Sequence, residues 1–225
     1  GQSHFMGPFG LGWDFSYNQR LLWLDPALVE NDDQYVMTYR RANDPTNVIG
    51  EAQDVLLMTG GGQIVVFGHQ GSTPPEGVAG DPLLDELGLF ANGRITAWYL
   101  PQPGVFDVMG RTADGKFVRI TSGGNQFWYG PSGRLERMYG RYARHRVDLV
   151  YDGDGRLRRI KDETDARYID VGYYVAGQRQ TLDRAPPSPR SDGLVAQIRD
   201  GFQRTVRYTY DECGRLTTSE GPRVD

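Results

Sequence analysis

The segment Tyr151-Asp152-Gly153-Asp154-Gly155-Arg156-Leu157 constrains this chain more than any other, because it recurs. Tyr210-Asp211-Glu212-Cys213-Gly214-Arg215-Leu216 repeats it, and Tyr129-Gly130-Pro131-Ser132-Gly133-Arg134-Leu135 is a looser copy. Each copy has an aromatic residue, three turn-type residues, then Gly-Arg-Leu. The order suits a tight hairpin. Tyrosine closes an incoming strand, Asp or Pro favours the turn, glycine takes the positive φ of a bulged loop, and leucine starts the return strand. A repeated hairpin is an architecture rather than an active site.

Composition agrees with many short strands. Thirty glycines, thirteen prolines and thirteen tyrosines accompany few long apolar runs in 225 residues. The length suits one large all-β domain or two small ones. A net charge of −4 argues against an overall nucleic-acid footprint, and no apolar run is long enough to span a bilayer. Cys213 is the sole cysteine, so no internal disulfide is possible. The chain opens Gly1-Gln2-Ser3-His4 and stops soon after a hairpin, so both ends read as cuts in something longer.

Residues 7–17 mix glycines with aromatics, and Trp13, Phe15 and Tyr17 alternate as one face of a strand. Phe15 stands where a dinucleotide fingerprint needs its third glycine, so that site is rejected. Strands are expected at 20–24, 34–40, 54–58 and 63–68, with a hairpin turn at Gly60-Gly61-Gly62 and a loop over 69–80. Asp81 to Gly88 has an N-cap, an early proline and a closing glycine, which predicts at most one short helix. Further strands are expected at 95–100, 105–109, 116–121, 126–129 and 134–139. Beyond them Val147/Leu149/Tyr151, Ile169/Val171/Tyr173 and Val206/Tyr208/Tyr210 alternate with mostly polar residues, the pattern of antiparallel strands covering an interior. Alternation fails just after each turn, where Leu135 and Met138, or Leu157 and Ile160, stand three apart. A β-bulge there reconciles the pattern.

The repeat glycines stand at 133, 155 and 214. A degenerate copy at Ser191-Asp192-Gly193-Leu194-Val195 fills the long gap, and the Pro/Arg-rich segment 178–190 reads as a loop inserted between strands. A spacing just above twenty residues is one hairpin per repeat, and such hairpins hide their apolar face by stacking on neighbours.

On these residues the chain resembles the Rhs/YD-repeat family, named for the Tyr-Asp of its repeats. Tyr151 to Leu157 and Tyr210 to Leu216 match its motif. Gly7-Pro8-Phe9-Gly10-Leu11-Gly12-Trp13 is similar to its opening segment, and Val105 to Phe117 to its transitional strands. The resemblance implies an all-β fold of antiparallel hairpin repeats in a curved or spiralling sheet. Residues 1–100 would be the opening β segment and 101–225 the repeats, both from the N-terminal part of a hollow shell. In bacteria such shells enclose a C-terminal toxin, and animal teneurins carry a related one. The implied partners are the rest of the shell and the enclosed toxin, and the implied location is secreted or at the cell surface of an exporting bacterium. The family's self-cleavage motif, resembling Asp-Pro-x-Gly-Leu, is not found here.

No catalytic residue, cofactor or metal is expected. Asp152, Asp154 and Asp162 could suggest a calcium loop, but Arg156 occupies a ligand position and turn chemistry explains the acids better. His4, His69 and His145 are scattered. Arg137, Arg141, Arg144, Arg146, Arg156, Arg158 and Arg159 are interleaved with Tyr139, Tyr142 and Tyr151, a composition able to meet a glycan. Its plainer reading is a strand face with pairs to Glu136, Asp148 and Asp162. The first expectation is therefore a non-enzymatic shell segment. The alternative is a carbohydrate-binding cell-surface module using Arg141, Tyr142 and Arg144. Edge strands left open by such a piece are expected to self-associate, or to be blunted by Asp81–Gly88 and the long loops.

Overall fold

A computed structural model describes residues 6–11, 16–23, 53–60, 63–76, 78, 85, 94–101, 103–141, 145–175 and 192–222. The described fold is all-β and antiparallel. A two-stranded hairpin, β1 (Met6–Gly7) with β2 (Gly10–Leu11), opens it. The chain divides into two compact units, one spanning Tyr17–Arg146 and the other combining Gly1–Ser16 with Val147–Asp225.

In the Tyr17–Arg146 unit the strands are β3 (Arg20–Trp23), β4 (Val55–Met58), β5 (Ile64–Gly71) and β6 (Ile95–Pro101), then β7 (Val108–Thr112), β8 (Phe117–Ile120), β9 (Gln126–Tyr129) and β10 (Leu135–Tyr139). Each pairs antiparallel with the next in chain order. Successive residues of a strand point to opposite faces. Trp98 and Tyr99 are both buried, as are Phe117 and Val118, so both faces of this sheet are covered there. One cluster joins Val78, Ile95, Trp98, Val118 and Ile120, with Val108 and Trp128 packed against it. The sheet also curls. The Leu21 amide of β3 donates to the Gly133 carbonyl at 2.7 Å, and Arg20 bridges Arg134, so the first strand meets the turn of the last hairpin. A side chain on Gly133 would run into the Leu21 carbonyl.

The second unit carries β11 (Arg146–Tyr151), β12 (Leu157–Asp162), β13 (Tyr168–Tyr173), β14 (Val195–Asp200), β15 (Thr205–Tyr210) and β16 (Leu216–Glu220), again paired antiparallel in chain order. Its opening hairpin docks on the later strands. Val195 donates to the Pro8 carbonyl at 2.7 Å, and the Phe9 ring meets Tyr208 edge-on at 5.1 Å. Phe9 thereby covers the cluster of Val171, Tyr173 and Val195. β16 ends the strand order.

Two strands depart from the sequence reading by more than one residue. β5 runs to Gly71 rather than 68, because Asp54 accepts the His69 amide at 2.8 Å and the strand keeps pairing with β6. β7 starts at Val108 rather than 105, because the Thr112–Lys116 turn sets the register and places Val108 opposite Ile120. The expected strand at 34–40 and the inserted loop at 178–190 lie outside the described residues. Of Asp81–Gly88 only Asp85 is described, and it is helical.

Candidate functional site

The recurring feature is a turn. Asp152 accepts the Gly155 amide at 3.0 Å and donates its own amide to the Arg156 carbonyl at 2.9 Å. Asp211 does the same with Gly214 and Arg215, and Gly130 with Gly133 and Arg134. The repeat glycines 133, 155, 193 and 214 have φ of +75°, +77°, +77° and +76°. At Gly133, Gly155 and Gly214 this is the three-residue loop closed by a glycine bulge, and only glycine holds that φ without strain.

The aspartate fastens the turn from inside. Asp152 Oδ1 accepts the amides of Asp154 (3.0 Å) and Arg156 (2.8 Å), and Asp211 Oδ1 those of Cys213 (2.9 Å) and Arg215 (2.8 Å). Arg156 closes the outside, from Nε to Asp152 Oδ2 at 2.9 Å and from Nη2 to Asp154 Oδ2 at 2.7 Å. Burial pushes the Asp152 carboxyl up, but the Arg156 amide and guanidinium outweigh it and hold the group below its ordinary range. The copy at Gly130 has no carboxylate, and the Glu136 carboxylate lies where a Gly130 side chain would stand. At Thr112 and Thr121 a hydroxyl takes the fourth amide along instead, at 3.1 and 3.2 Å.

Two turns of the same build escaped the sequence reading. At Asp200–Arg204 the Asp200 Oδ1 accepts the Phe202 and Arg204 amides, both at 3.0 Å, and Arg204 Nε returns to Oδ2 at 2.7 Å. Gln203 fills the glycine slot at φ +66°. Asp162–Arg167 is one residue longer, with Asp165 at φ +60°. An Asp followed four or five residues later by Arg is the signal that finds both.

Across each motif turn the tyrosine pairs with the leucine position: Tyr129 with Leu135, Tyr151 with Leu157, Tyr173 with Val195 and Tyr210 with Leu216. A register shift stands beside every one of these pairs, where alternation fails in the sequence. The hydroxyls then reach backward by one hairpin. Tyr173 donates to the Leu157 carbonyl and Tyr210 to the Val195 carbonyl, each at 2.8 Å and each buried. Tyr129 donates instead to Gln19 Oε1 at 2.8 Å. Burial pushes the Tyr173 and Tyr210 phenols well above their ordinary value.

The arginine-rich stretch is largely engaged with acids and rings of its own sheet. Arg159 makes two bonds to Asp170, at 2.6 and 3.0 Å, and lies 4.4 Å over the Tyr168 ring. Arg199 approaches Asp170 from the next strand at 3.6 Å, and the three residues are in register across β12, β13 and β14. Arg137 reaches the Tyr139 hydroxyl at 3.4 Å. The expected partners were Glu136, Asp148 and Asp162. Arg159 finds Asp170 through strand register, whereas Arg156 finds Asp152 and Asp154 within its own turn. Asp162 binds Arg167 instead. Arg141 is exposed, whereas Tyr142 and Arg144 lie outside the described residues. Among the described residues no three His, Cys, Asp or Glu side chains gather as a metal-binding group.

Residues 191–222 match the RHS Repeat family model, a span that holds the degenerate Asp192-Gly193 copy, the Asp200 turn and the Tyr210–Leu216 motif. No curated protein matches the chain.

Proposed function

The chain belongs to the Rhs/YD-repeat family, and from that membership we propose that it is a length of shell wall whose full-length protein encloses a C-terminal toxin. The observation that carries this reading is the serial latch: the hairpins closed at Gly155, Gly193 and Gly214 share one glycine φ, one bulge and one tyrosine position, and Tyr173 and Tyr210 each tie their hairpin to the one before. Such contacts run along the chain from neighbour to neighbour, as a wall extended by repetition requires. The role is structural. The motif residues are spent on turn hydrogen bonds, ion pairs and packing, with none poised toward a reacting group. Acting outside the cytoplasm follows from the same proposal.

Imaging and limited proteolysis of the full-length gene product test it. A hollow particle whose C-terminal region resists protease, and becomes sensitive once the repeats are unfolded, is the expected result. A C-terminal region digested as fast within the whole protein as alone would overturn enclosure.

A further inference from the structure

We propose that the Tyr17–Arg146 unit holds a carboxylate-binding site, built on the Arg111 guanidinium and the Trp23 indole N–H. The site stands apart from the wall reading and does not rest on it. Register sets its place. Met109 of β7 pairs with Tyr99 and Arg119, while Arg111 pairs with Phe117, which pairs in turn with Tyr129. Tyr99, Met109, Phe117 and Tyr129 are at most 4% exposed, so Arg111 stands half-buried in an apolar lining. Its guanidinium lies over the Trp23 ring, 3.9 Å from the centre, and 5.7 Å from the centre of the Phe117 ring. Trp23 belongs to β3, four strands away, so this is the face that the curled sheet closes round.

What this corner lacks is an acceptor. Arg119, on the same face and 4.2 Å over the Phe127 ring, has Asp107 at 3.7 Å. Among the described residues no carboxylate pairs with Arg111. It meets the neutral Tyr99 hydroxyl instead, pulling down a phenol that burial pushes up. Asp54 also acts on Tyr99, but its Oδ1 accepts the His69 amide at 2.8 Å. Trp23 Nε1 is buried and has no hydrogen-bond partner. A half-buried cation and a buried N–H donor thus lie in contact, although buried charge is normally paired and buried N–H normally bonded. The chemistry selects the ligand. Trp23 covers the flat side of the guanidinium and leaves its in-plane N–H groups to bind, and that fork matches the two coplanar oxygens of a carboxylate. A flat anion also fits against the rings, where a tetrahedral one does not. A free small carboxylate and an acidic side chain of a protein carry the same group.

The test follows the indole N–H signals of the whole chain by NMR with labelled tryptophan, the Trp23 signal being identified with Trp23→Phe. Sodium acetate and, separately, an end-blocked Ala-Glu-Ala peptide are titrated in, each against sodium chloride at equal ionic strength. Carboxylate is expected to move the Trp23 signal saturably, with half-saturation at roughly 1–50 mM, while the Trp98 and Trp128 signals stay in place. Tighter binding of the peptide would assign the site to acidic side chains, and tighter binding of acetate to free carboxylates, and either result supports it. Arg111→Gln is expected to weaken binding by about tenfold or more, whereas Arg207→Gln, at an exposed arginine, leaves it unchanged. Where Arg111→Gln does not fold, Arg111→Lys serves, since it keeps the charge and loses the fork. A Trp23 signal that moves as far in chloride, or not at all up to about 200 mM carboxylate, would overturn the proposal. So would full affinity in a folded Arg111 variant.

Discussion

The hydroxyl of Tyr210 donates to the main-chain carbonyl of Val195 at 2.8 Å, and Val195 sits in the preceding hairpin at the position that Leu216 holds in Tyr210's own. Tyr173 and Leu157 repeat the relationship. One residue type thus does two jobs. Its ring packs beside its own turn, and its hydroxyl fastens that turn to the neighbour.

Removing either hydroxyl leaves a buried carbonyl without its donor. Tyr173→Phe and Tyr210→Phe are each expected to cost about 1–2 kcal/mol. Tyr168→Phe, whose hydroxyl only meets Gln203 at an exposed site, should stay within about 0.5 kcal/mol. Urea unfolding that moves in midpoint at constant slope measures all three. Equal costs for the buried and exposed tyrosines would mean that the latch contributes nothing.

Gly133 and Gly115 share a positive φ, +75° and +79°, but not their surroundings. Nothing lies within 4 Å of a side chain added at Gly115, whereas at Gly133 it would meet the Leu21 carbonyl. Gly115→Ala should lose about 1–2 kcal/mol from backbone strain alone. Gly133→Ala should lose more, because β3 must move away from the turn. Thermal unfolding of the two variants side by side decides it.

Gln203 offers the reverse change. It occupies the slot that glycine fills in the motif turns, at φ +66°. Gln203→Gly should stabilise the chain by up to about 1 kcal/mol, offset in part by losing the 3.3 Å contact to Tyr168. A lower melting temperature in the variant would contradict the strain argument.

Stability should also fall at both ends of the pH range. Asp170 is held below its ordinary range chiefly by Arg159, Asp200 by Arg204, and Asp152 by Arg156 against the upward push of burial. A carboxyl lowered in the fold stabilises it fully above the unfolded value of about 4, and that contribution drains away as pH drops through the folded value. For Tyr173 and Tyr210 the sign is opposite. Their phenols are raised by burial, so their contribution is whole below the unfolded value of about 10 and is lost as pH climbs beyond it. Unfolding midpoints collected from pH 2 to 11 should trace a plateau with two falling flanks. Asp170→Asn should flatten the acid flank and Tyr173→Phe the alkaline one.

What could be read in the sequence was local. Tyr151, Gly155 and Leu157 mark strand end, positive φ and strand start within seven residues, and the bulge is legible because Leu157 and Ile160 break alternation. The Asp200 turn was hidden by Gln203, since a non-glycine residue at positive φ carries no compositional mark. The inter-hairpin latch was hidden for another reason. Its acceptor is backbone, so no residue type at Leu157 or Val195 announces it. Contacts distant in sequence, such as Leu21 on Gly133, were equally silent. The pairing of Arg159 with Asp170 was silent too, because it depends on strand register, which the turn sets.

A peptide carbonyl is the same group whatever side chain stands above it. Val195 serves Tyr210 as well as Leu157 serves Tyr173, although the two receiving residues differ. A module newly copied within the gene would therefore fit its predecessor at once, without any pair of side chains having to co-adapt. Lengthening by duplication then demands only that the phenol persist, while the rest of each module is left free to diverge.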